Sequence, residues 1–148
     1  ALKKEFPYVF SEFKYPGVPE VKMNIIENKP FIINKTSILP IEVEHYMMPV
    51  LGFRIKKFVY LTDVSAISEE EKEKMKGADF IILDALRKKP HISHFNLESA
   101  LELLEELKPK KALLTHISHY MGLHNEVNKE LPAHINLAYD GQIIHLNE

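Results

Sequence analysis

ADFIILD, residues 78–84, is a continuous apolar run that ends in a carboxylate. Because a strand that is covered on both faces carries apolar side chains at successive positions, this run predicts a buried strand. KALLTH, residues 111–116, repeats the pattern and ends in a histidine. Buried strands that alternate with helical segments predict an α/β fold, in which helices pack on a mixed sheet.

Three segments near these strands have helical patterns. SEEE, residues 68–71, is a capping box in which Ser68 opens a short charged helix that ends before Gly77. Asn96 is predicted to cap a second helix, and its apolar stripe consists of Leu97, Ala100, Leu101, Leu104 and Leu107. A third short helix is indicated by the spacing of Leu123, Val127 and Leu131.

The N-terminal third is rich in β-branched and aromatic residues, and prolines interrupt it. This composition predicts a β-meander with strands in residues 21–28, 30–38, 40–46 and 51–63. The end of the chain, INLAYDGQIIHL, has two alternating runs around Asp140 and Gly141, a pattern that predicts a β-hairpin.

The composition limits the class of protein. A chain of 148 residues fits a single domain, 1–148, and a net charge of −2 gives no broad positive field for nucleic acid. Because the chain has no cysteine, any metal site must use His, Asp or Glu. No apolar run approaches the ~18 residues of a membrane span, so we expect no membrane contact and a cytoplasmic location.

Three predicted strands end in a residue that can bind a metal: Asp63, Asp84 and His116. Ligands in layered α/β folds bind at the carboxyl ends of buried strands, so we expect these side chains to converge. For each residue alone, capping of the next turn explains its position equally well.

The chain has eight histidines, and imidazole is the commonest metal ligand. His91 and His94 lie in a loop before a helix, where either a structural or a functional role is open, and His119 could be a solvated helix start. His124, His134 and His145 have no polar companion and stay unassigned. With five glycines the chain contains no Gly-rich phosphate loop, and it has no G-x-S-x-G elbow.

Four motifs, YLTD, GADFIILDAL, HISHFNLESALELL and LLTHISH, resemble in order and spacing the later motifs of metallo-β-lactamase-fold hydrolases. The most similar branch contains the phosphonate-operon phosphodiesterase and the tRNA 3′-processing endonucleases. The resemblance covers roughly residues 40 to 120 and implies the C-terminal portion of a metallo-β-lactamase fold, an αβ/βα sandwich.

The resemblance also implies roles for individual residues. His45 would bind the first metal, Asp63 would bridge two metals, and His116 would bind the second. His94 would be the catalytic histidine that polarises the phosphate or protonates the leaving group. Asp84 and His119 would hydrogen-bond the imidazoles and fix their tautomers.

The family's principal ligand motif, H-x-H-x-D-H, does not occur in this sequence. The intact family fold binds two divalent ions, Zn or Mn, and we expect partial or no occupancy here because that motif supplies most of the ligands. A fold without its first strands exposes a sheet edge, which predicts a homo-oligomer.

Three functions remain open from the sequence. The first is a metal-dependent hydrolase that acts on a small phosphodiester substrate, with weak or no activity in this chain alone. The second is a non-catalytic remnant or interaction domain that retains the fold. The third is an RNA-processing partner, which the charge balance disfavours without excluding it.

Overall fold

A computed structural model of the protein describes residues 1–146, and its main feature is a seven-stranded mixed sheet. The strands are β1 (Phe31–Ile33), β2 (Thr36–His45), β3 (Met48–Ile55), β4 (Phe58–Leu61), β5 (Phe80–Asp84), β6 (Lys111–Thr115) and β7 (Ile135–Leu137). They lie in the sheet in the order in which they occur in the chain. The first four pair antiparallel, as the predicted meander requires, and β4 to β7 pair parallel.

Four α-helices and a 3₁₀ turn accompany the sheet. They are α1 (Leu2–Glu5), the 3₁₀ turn (Pro7–Val9), α2 (Glu69–Glu73), α3 (Leu97–Leu107) and α4 (His124–Glu130). Both predicted caps are present: the Ser68 side chain accepts a hydrogen bond from the N–H of Glu71, and the Asn96 side chain accepts one from Ser99. The α/β fold predicted from the pattern is therefore confirmed.

The core forms between the sheet and the apolar stripe of α3. Alternate residues of the strands are buried because successive side chains of a strand point to opposite faces. The buried side chains of the sheet include Ile41, Val43, Val59, Leu61, Ile81, Leu83 and Leu114. Helix α3 contributes Ala100, Leu103, Leu104 and Leu107.

Two predicted strands of the meander are each divided by a turn. The predicted strand 30–38 is interrupted at residues 34–35 and belongs to β1 and β2, and the predicted strand 51–63 is interrupted at residues 56–57 and belongs to β3 and β4. Asn34 and Lys56 adopt a positive φ at these turns, which reverses the chain.

Two further segments differ from their predictions. Residues 21–28 form no strand, because β-propensity makes a strand only where a neighbouring strand is available to pair with it. Asp140 and Gly141 form the predicted turn, in which the N–H of Gln142 donates to the carbonyl of Tyr139 at 3.1 Å. Residues 142–146 after this turn form no strand, so the predicted hairpin is wrong in its second half.

None of the helices within residues 1–146 is both long and apolar enough to cross a membrane.

Candidate active site

The candidate site lies at one edge of the sheet, where four strands end. Strands β2, β4, β5 and β6 run in the same direction, so their carboxyl ends share this edge. His45 is the last residue of β2, and Asp84 is the last residue of β5. Asp63 and His116 follow the ends of β4 and β6. The convergence expected from the strand-end pattern is therefore present.

The backbone turns sharply at two of these residues. Asp63 has a φ of 63° and His116 a φ of 62°, which is the left-handed region. Asp and His adopt this conformation more readily than most residues other than glycine, whereas a β-branched residue there would be strained. The turn ends each strand at this edge. The Thr62 hydroxyl donates to Oδ2 of Asp63 at 3.1 Å and fixes the carboxylate.

The side chains of this edge form one cluster. The ring centroid of His94 lies 4.7 Å from that of His45 and 4.9 Å from that of His116. Nε2 of His116 lies 3.6 Å from Oδ1 of Asp63. We call His45, Asp63, His94 and His116 the edge cluster. It contains His45, Asp63 and His116, the three ligands that the resemblance implies, and also His94.

The edge cluster has donors that suit a divalent cation. One ligand atom from each of His45, Asp63 and His94 lies within 4.8 Å of the other two, and this is the only such group within residues 1–146. The sequence assigned His116, rather than His94, to the ligands. His45, Asp63 and His94 supply two imidazoles and a carboxylate, a donor set that Zn and Mn accept, whereas His116 does not belong to this group of mutually close donors within residues 1–146.

His45 is oriented as a metal-ligating histidine usually is. Its Nδ1 donates a hydrogen bond to the backbone carbonyl of Ser93 at 2.9 Å, because a carbonyl can only accept. The Nε2 atom then lacks a proton and can coordinate a cation. The residues present therefore fit one divalent ion.

Asp84 and His94 form a buried pair beside the cluster. Oδ2 of Asp84 lies 3.5 Å from Nδ1 of His94, and neither atom has a hydrogen bond to another group within residues 1–146. The other oxygen of Asp84 accepts a hydrogen bond from the N–H of Val64 at 3.3 Å. Asp84 therefore joins the end of β5 to the residue that follows Asp63.

Burial shifts the pKa of both members of this pair. It raises the pKa of Asp84 from its ordinary 3.8 to about 7, against the opposing hydrogen bond from Val64, and the charge of Asp63 adds to the rise. Burial also lowers the pKa of His94, and the neighbouring His116 and His45 lower it further. Burial therefore disfavours the charged form of both side chains.

The remaining histidines lie outside the edge cluster. His119 is exposed, and its ring centroid lies 3.9 Å from that of Tyr120 with the two rings tilted by 41°, so its predicted role toward the metal ligands stays a prediction. His124 belongs to a different network, in which Nε2 donates to the carbonyl of Leu137 at 3.1 Å. His91 lies beside the cluster, with its ring centroid 5.4 Å from that of His94.

Sequence reasoning missed two features of this site. The carbonyl of Ser93 orients His45, but every residue has a backbone carbonyl, so the residue type at this position does not predict the hydrogen bond. The contact between His91 and His94 was also missed, although the spacing in HISH offered a signal. Two histidines three apart in a loop approach each other only when the loop turns, and the sequence does not specify that turn.

Imidazoles and carboxylates gathered at the carboxyl edge of a mixed sheet are the arrangement that the resemblance to metallo-β-lactamase-fold hydrolases predicts. A family model described as a beta-lactamase superfamily domain matches residues 1–117. The chain belongs to this superfamily, and the resemblance stated from its motifs is confirmed.

Several known proteins are similar to this chain. A crystal structure of a diphosphatase from the PhnP family superimposes with a TM-score of 0.87 at 34% identity, over 99% of this chain and 54% of that one. The metallo-β-lactamase-fold protein YhfI from Bacillus subtilis matches with a TM-score of 0.67 at 18% identity, over 91% of this chain and 58% of that one. Human tRNase Z, short form, matches with a TM-score of 0.60 at 21% identity, over 80% of this chain and 46% of that one.

An octanoyltransferase from Porphyromonas gingivalis (strain ATCC BAA-308 / W83) is 32% identical over 95% of this chain, which corresponds to 29% of that protein. The chain therefore spans less than a third of this curated relative and about half of the similar diphosphatase. Similarity to a part of a longer protein does not transfer the activity of the whole.

Proposed function

We propose that the protein carries a metal-dependent phosphodiester-hydrolase site at the carboxyl edge of its sheet. The observation on which this proposal rests is the edge cluster, in which three imidazoles and a carboxylate from separate parts of the chain meet. The 34% identity to a diphosphatase of the PhnP family supports phosphoryl chemistry.

In this proposal, His45, Asp63 and His116 would hold divalent cations, Zn or Mn, with His45 as a ligand of the first and His116 as a ligand of the second. The Nε2 atoms of the two histidines and the carboxylate of Asp63 are the donors. A bound divalent cation would polarise the phosphoryl group and activate water for attack. Ser93 contributes by holding the ring of His45 through its carbonyl oxygen.

His94 donates a proton from Nε2 to the oxygen of the leaving group. Support comes from its buried pairing with Asp84, which faces Nδ1 of the ring. When ionised, the carboxylate of Asp84 would stabilise the protonated ring of His94 through its charge.

The substrate is a small phosphodiester or a related phosphoanhydride. The net charge of −2 offers no broad positive surface for a nucleic acid, which disfavours an RNA substrate. The homo-oligomer expected from an exposed sheet edge belongs to this proposal. Edge strand β1 supports it, because Ile32 and Ile33 are 74% and 53% exposed.

A second candidate is a non-catalytic domain that retains the fold. The absence of H-x-H-x-D-H from the sequence favours it, because a two-metal site needs more donors than the edge cluster supplies. The second candidate predicts a folded chain with no stoichiometric metal.

Metal content and turnover of the purified chain separate the two candidates. Bound Zn or Mn is measured by mass spectrometry, and hydrolysis of bis(p-nitrophenyl) phosphate is followed with Mn²⁺ or Zn²⁺ added. Under the hydrolase proposal, His116→Ala loses metal and turnover. The matched control is His134→Ala, which lies at the opposite edge of the sheet, just before β7.

Stoichiometric metal with turnover that His116→Ala abolishes supports the hydrolase. A folded chain with neither metal nor turnover supports the non-catalytic domain. Turnover that survives His116→Ala contradicts the assigned ligand set.

A further inference from the structure

His91 extends the edge cluster by one more imidazole. Its ring lies nearly parallel to that of His94, with an interplanar angle of 28° and a centroid distance of 5.4 Å. His91 is half-buried, so one side of the ring packs against the cluster while the rest is accessible. A group bound beside the ring of His94 could therefore also contact His91.

The hydrogen bonds of His91 determine which of its nitrogens carries the proton. The backbone N–H of Ser93 donates to Nδ1 of His91 at 3.3 Å, and the Ser93 hydroxyl lies 3.3 Å from the same atom. A nitrogen that accepts a hydrogen bond from an N–H carries no proton of its own. The neutral ring therefore has its proton on Nε2, and this N–H makes no hydrogen bond within residues 1–146.

The loop that carries His91 is fixed at both ends. The N–H of Leu86 donates to the carbonyl of Phe95, and the N–H of Leu97 donates to the carbonyl of Arg87, both at 2.9 Å. Inside the loop, the Arg87 guanidinium donates to the carbonyls of Lys89 at 3.2 Å and Pro90 at 2.7 Å. A loop with this many internal bonds presents His91 in a preorganised position.

The groups around His91 suit an anion. The imidazole ring of His94 lies beside that of His91, and the same loop carries the basic run at 87–89. Lys88 of this run pairs with Glu130 at 2.7 Å, while Lys89 is exposed. An N–H donor near cationic side chains binds a negatively charged oxygen better than a neutral one.

We propose that His91 is an oxyanion-binding residue of this site, whose Nε2–H donates to a phosphoryl oxygen of the substrate. This role rests on the proposed phosphodiester hydrolysis, but it concerns binding, which can be measured without turnover. The substrate class it implies has a phosphoryl oxygen that is not bound to the metal.

The test uses inorganic phosphate as the probe and the full chain freed of metal with EDTA. Two-bond ¹H–¹⁵N correlation spectra of the imidazole rings identify the protonated nitrogen of each histidine, and loss of signals in His91→Gln assigns those of His91. We expect His91 to carry its proton on Nε2. On titration with phosphate, its signals should shift and saturate.

Three variants separate binding from a structural role. His91→Ala should weaken phosphate binding about tenfold, the effect of losing one hydrogen bond to a charged acceptor. His91→Gln places an amide N–H near the position of Nε2 and should retain most of the affinity. His91→Asn reaches only the position of Nδ1 and should behave like His91→Ala, while His134→Ala should bind as the unchanged protein does.

Several results would overturn the proposal. They are a proton on Nδ1 of His91, equal phosphate affinity in the unchanged protein and His91→Ala, or no binding at all. Rescue by Asn and not by Gln would show that His91 acts through Ser93 as a structural residue. If the metal-loaded chain does not hydrolyse bis(p-nitrophenyl) phosphate while phosphate still shifts the His91 signals, the hydrolase proposal fails and the anion site stands.

Discussion

Asp84→Asn should increase the stability of the protein relative to that of the unchanged protein more at high pH than at low pH. Asp84 is fully buried, and burial raises its pKa to about 7. The folded protein therefore retains a proton on this carboxyl between about pH 4 and pH 7, where the unfolded chain has lost it. Stability associated with Asp84 is fully present below pH 4 and is lost as the pH rises through about 7.

The size of the effect follows from the two pKa values. Raising the pKa from 3.8 to about 7 corresponds to on the order of 4 kcal/mol of unfolding free energy at pH 8, at 1.36 kcal/mol for each factor of ten. Asn has nearly the shape of the protonated carboxyl but never ionises. Its oxygen can still accept the hydrogen bond from Val64, and its amide can donate to Nδ1 of His94.

The assay is urea unfolding of the metal-free protein at pH 4.5 and pH 8. At each pH, the unfolding free energy of the unchanged protein is subtracted from that of Asp84→Asn. We expect this difference to be several kcal/mol more favourable to the variant at pH 8 than at pH 4.5. Asp79→Asn is the control, because the Lys110 ammonium lowers the pKa of this carboxyl below its ordinary 3.8, so its titration lies below the range of the assay and its effect should be nearly the same at pH 4.5 and pH 8. A difference for Asp84→Asn that is the same at both pH values would refute the reasoning.

Three further substitutions test the scaffold by urea unfolding. Glu71→Gln should cost about 1–3 kcal/mol at pH 7, since Glu71 accepts bonds from Asn28, Lys74 and the Glu42 N–H. Burial alone would raise the pKa of Glu71, but these hydrogen bonds outweigh burial and lower the pKa below its ordinary 4.5. The loss of unfolding free energy in Glu71→Gln should therefore shrink as the pH falls below 4.5, and a loss that grows would contradict this reasoning. Asn96→Ala should lower the unfolding free energy by about 1 kcal/mol because α3 loses its N-cap, whereas Asn96→Asp should retain the cap and the stability. An equal loss of stability in the two variants would contradict the capping role of Asn96. Gly52→Ala should lower the unfolding free energy by about 1–3 kcal/mol, because a Cβ at this position would lie 2.9 Å from the carbonyl oxygen of Tyr60. Unchanged stability would show that β3 and β4 can move apart without loss of free energy.

Local chemistry made much of the fold predictable. The caps at Ser68 and Asn96 depend on side-chain oxygens that reach an N–H three residues away, so short motifs suffice to identify them. The strands were visible as apolar runs, although in β5 the predicted burial of both faces is incomplete, because Phe80 and Ile82 are only half-buried. The predicted hairpin after β7 has no second strand: residues 142–145 line a cavity together with Phe80 and Leu113 of the sheet.

The site was predictable in its members and less so in its geometry. His45, Asp63 and His116 could be selected because strand ends and motif order point to them. His94 lies close to His45 and Asp63 only because the loop 85–96 folds back toward β2 and β6. That path is set by long-range backbone bonds, such as the one from Phe95 to Val64, which no local pattern encodes.

The agreement between strand order in the sheet and strand order in the chain has a consequence for synthesis on the ribosome. Each new strand emerges next to the edge left by its predecessor, so the sheet can grow in one direction without waiting for distant sequence. The site is assembled in the same direction, with His45 first and His116 last. A nascent chain that stops before β6 therefore holds most of its scaffold but lacks the last imidazole of the cluster.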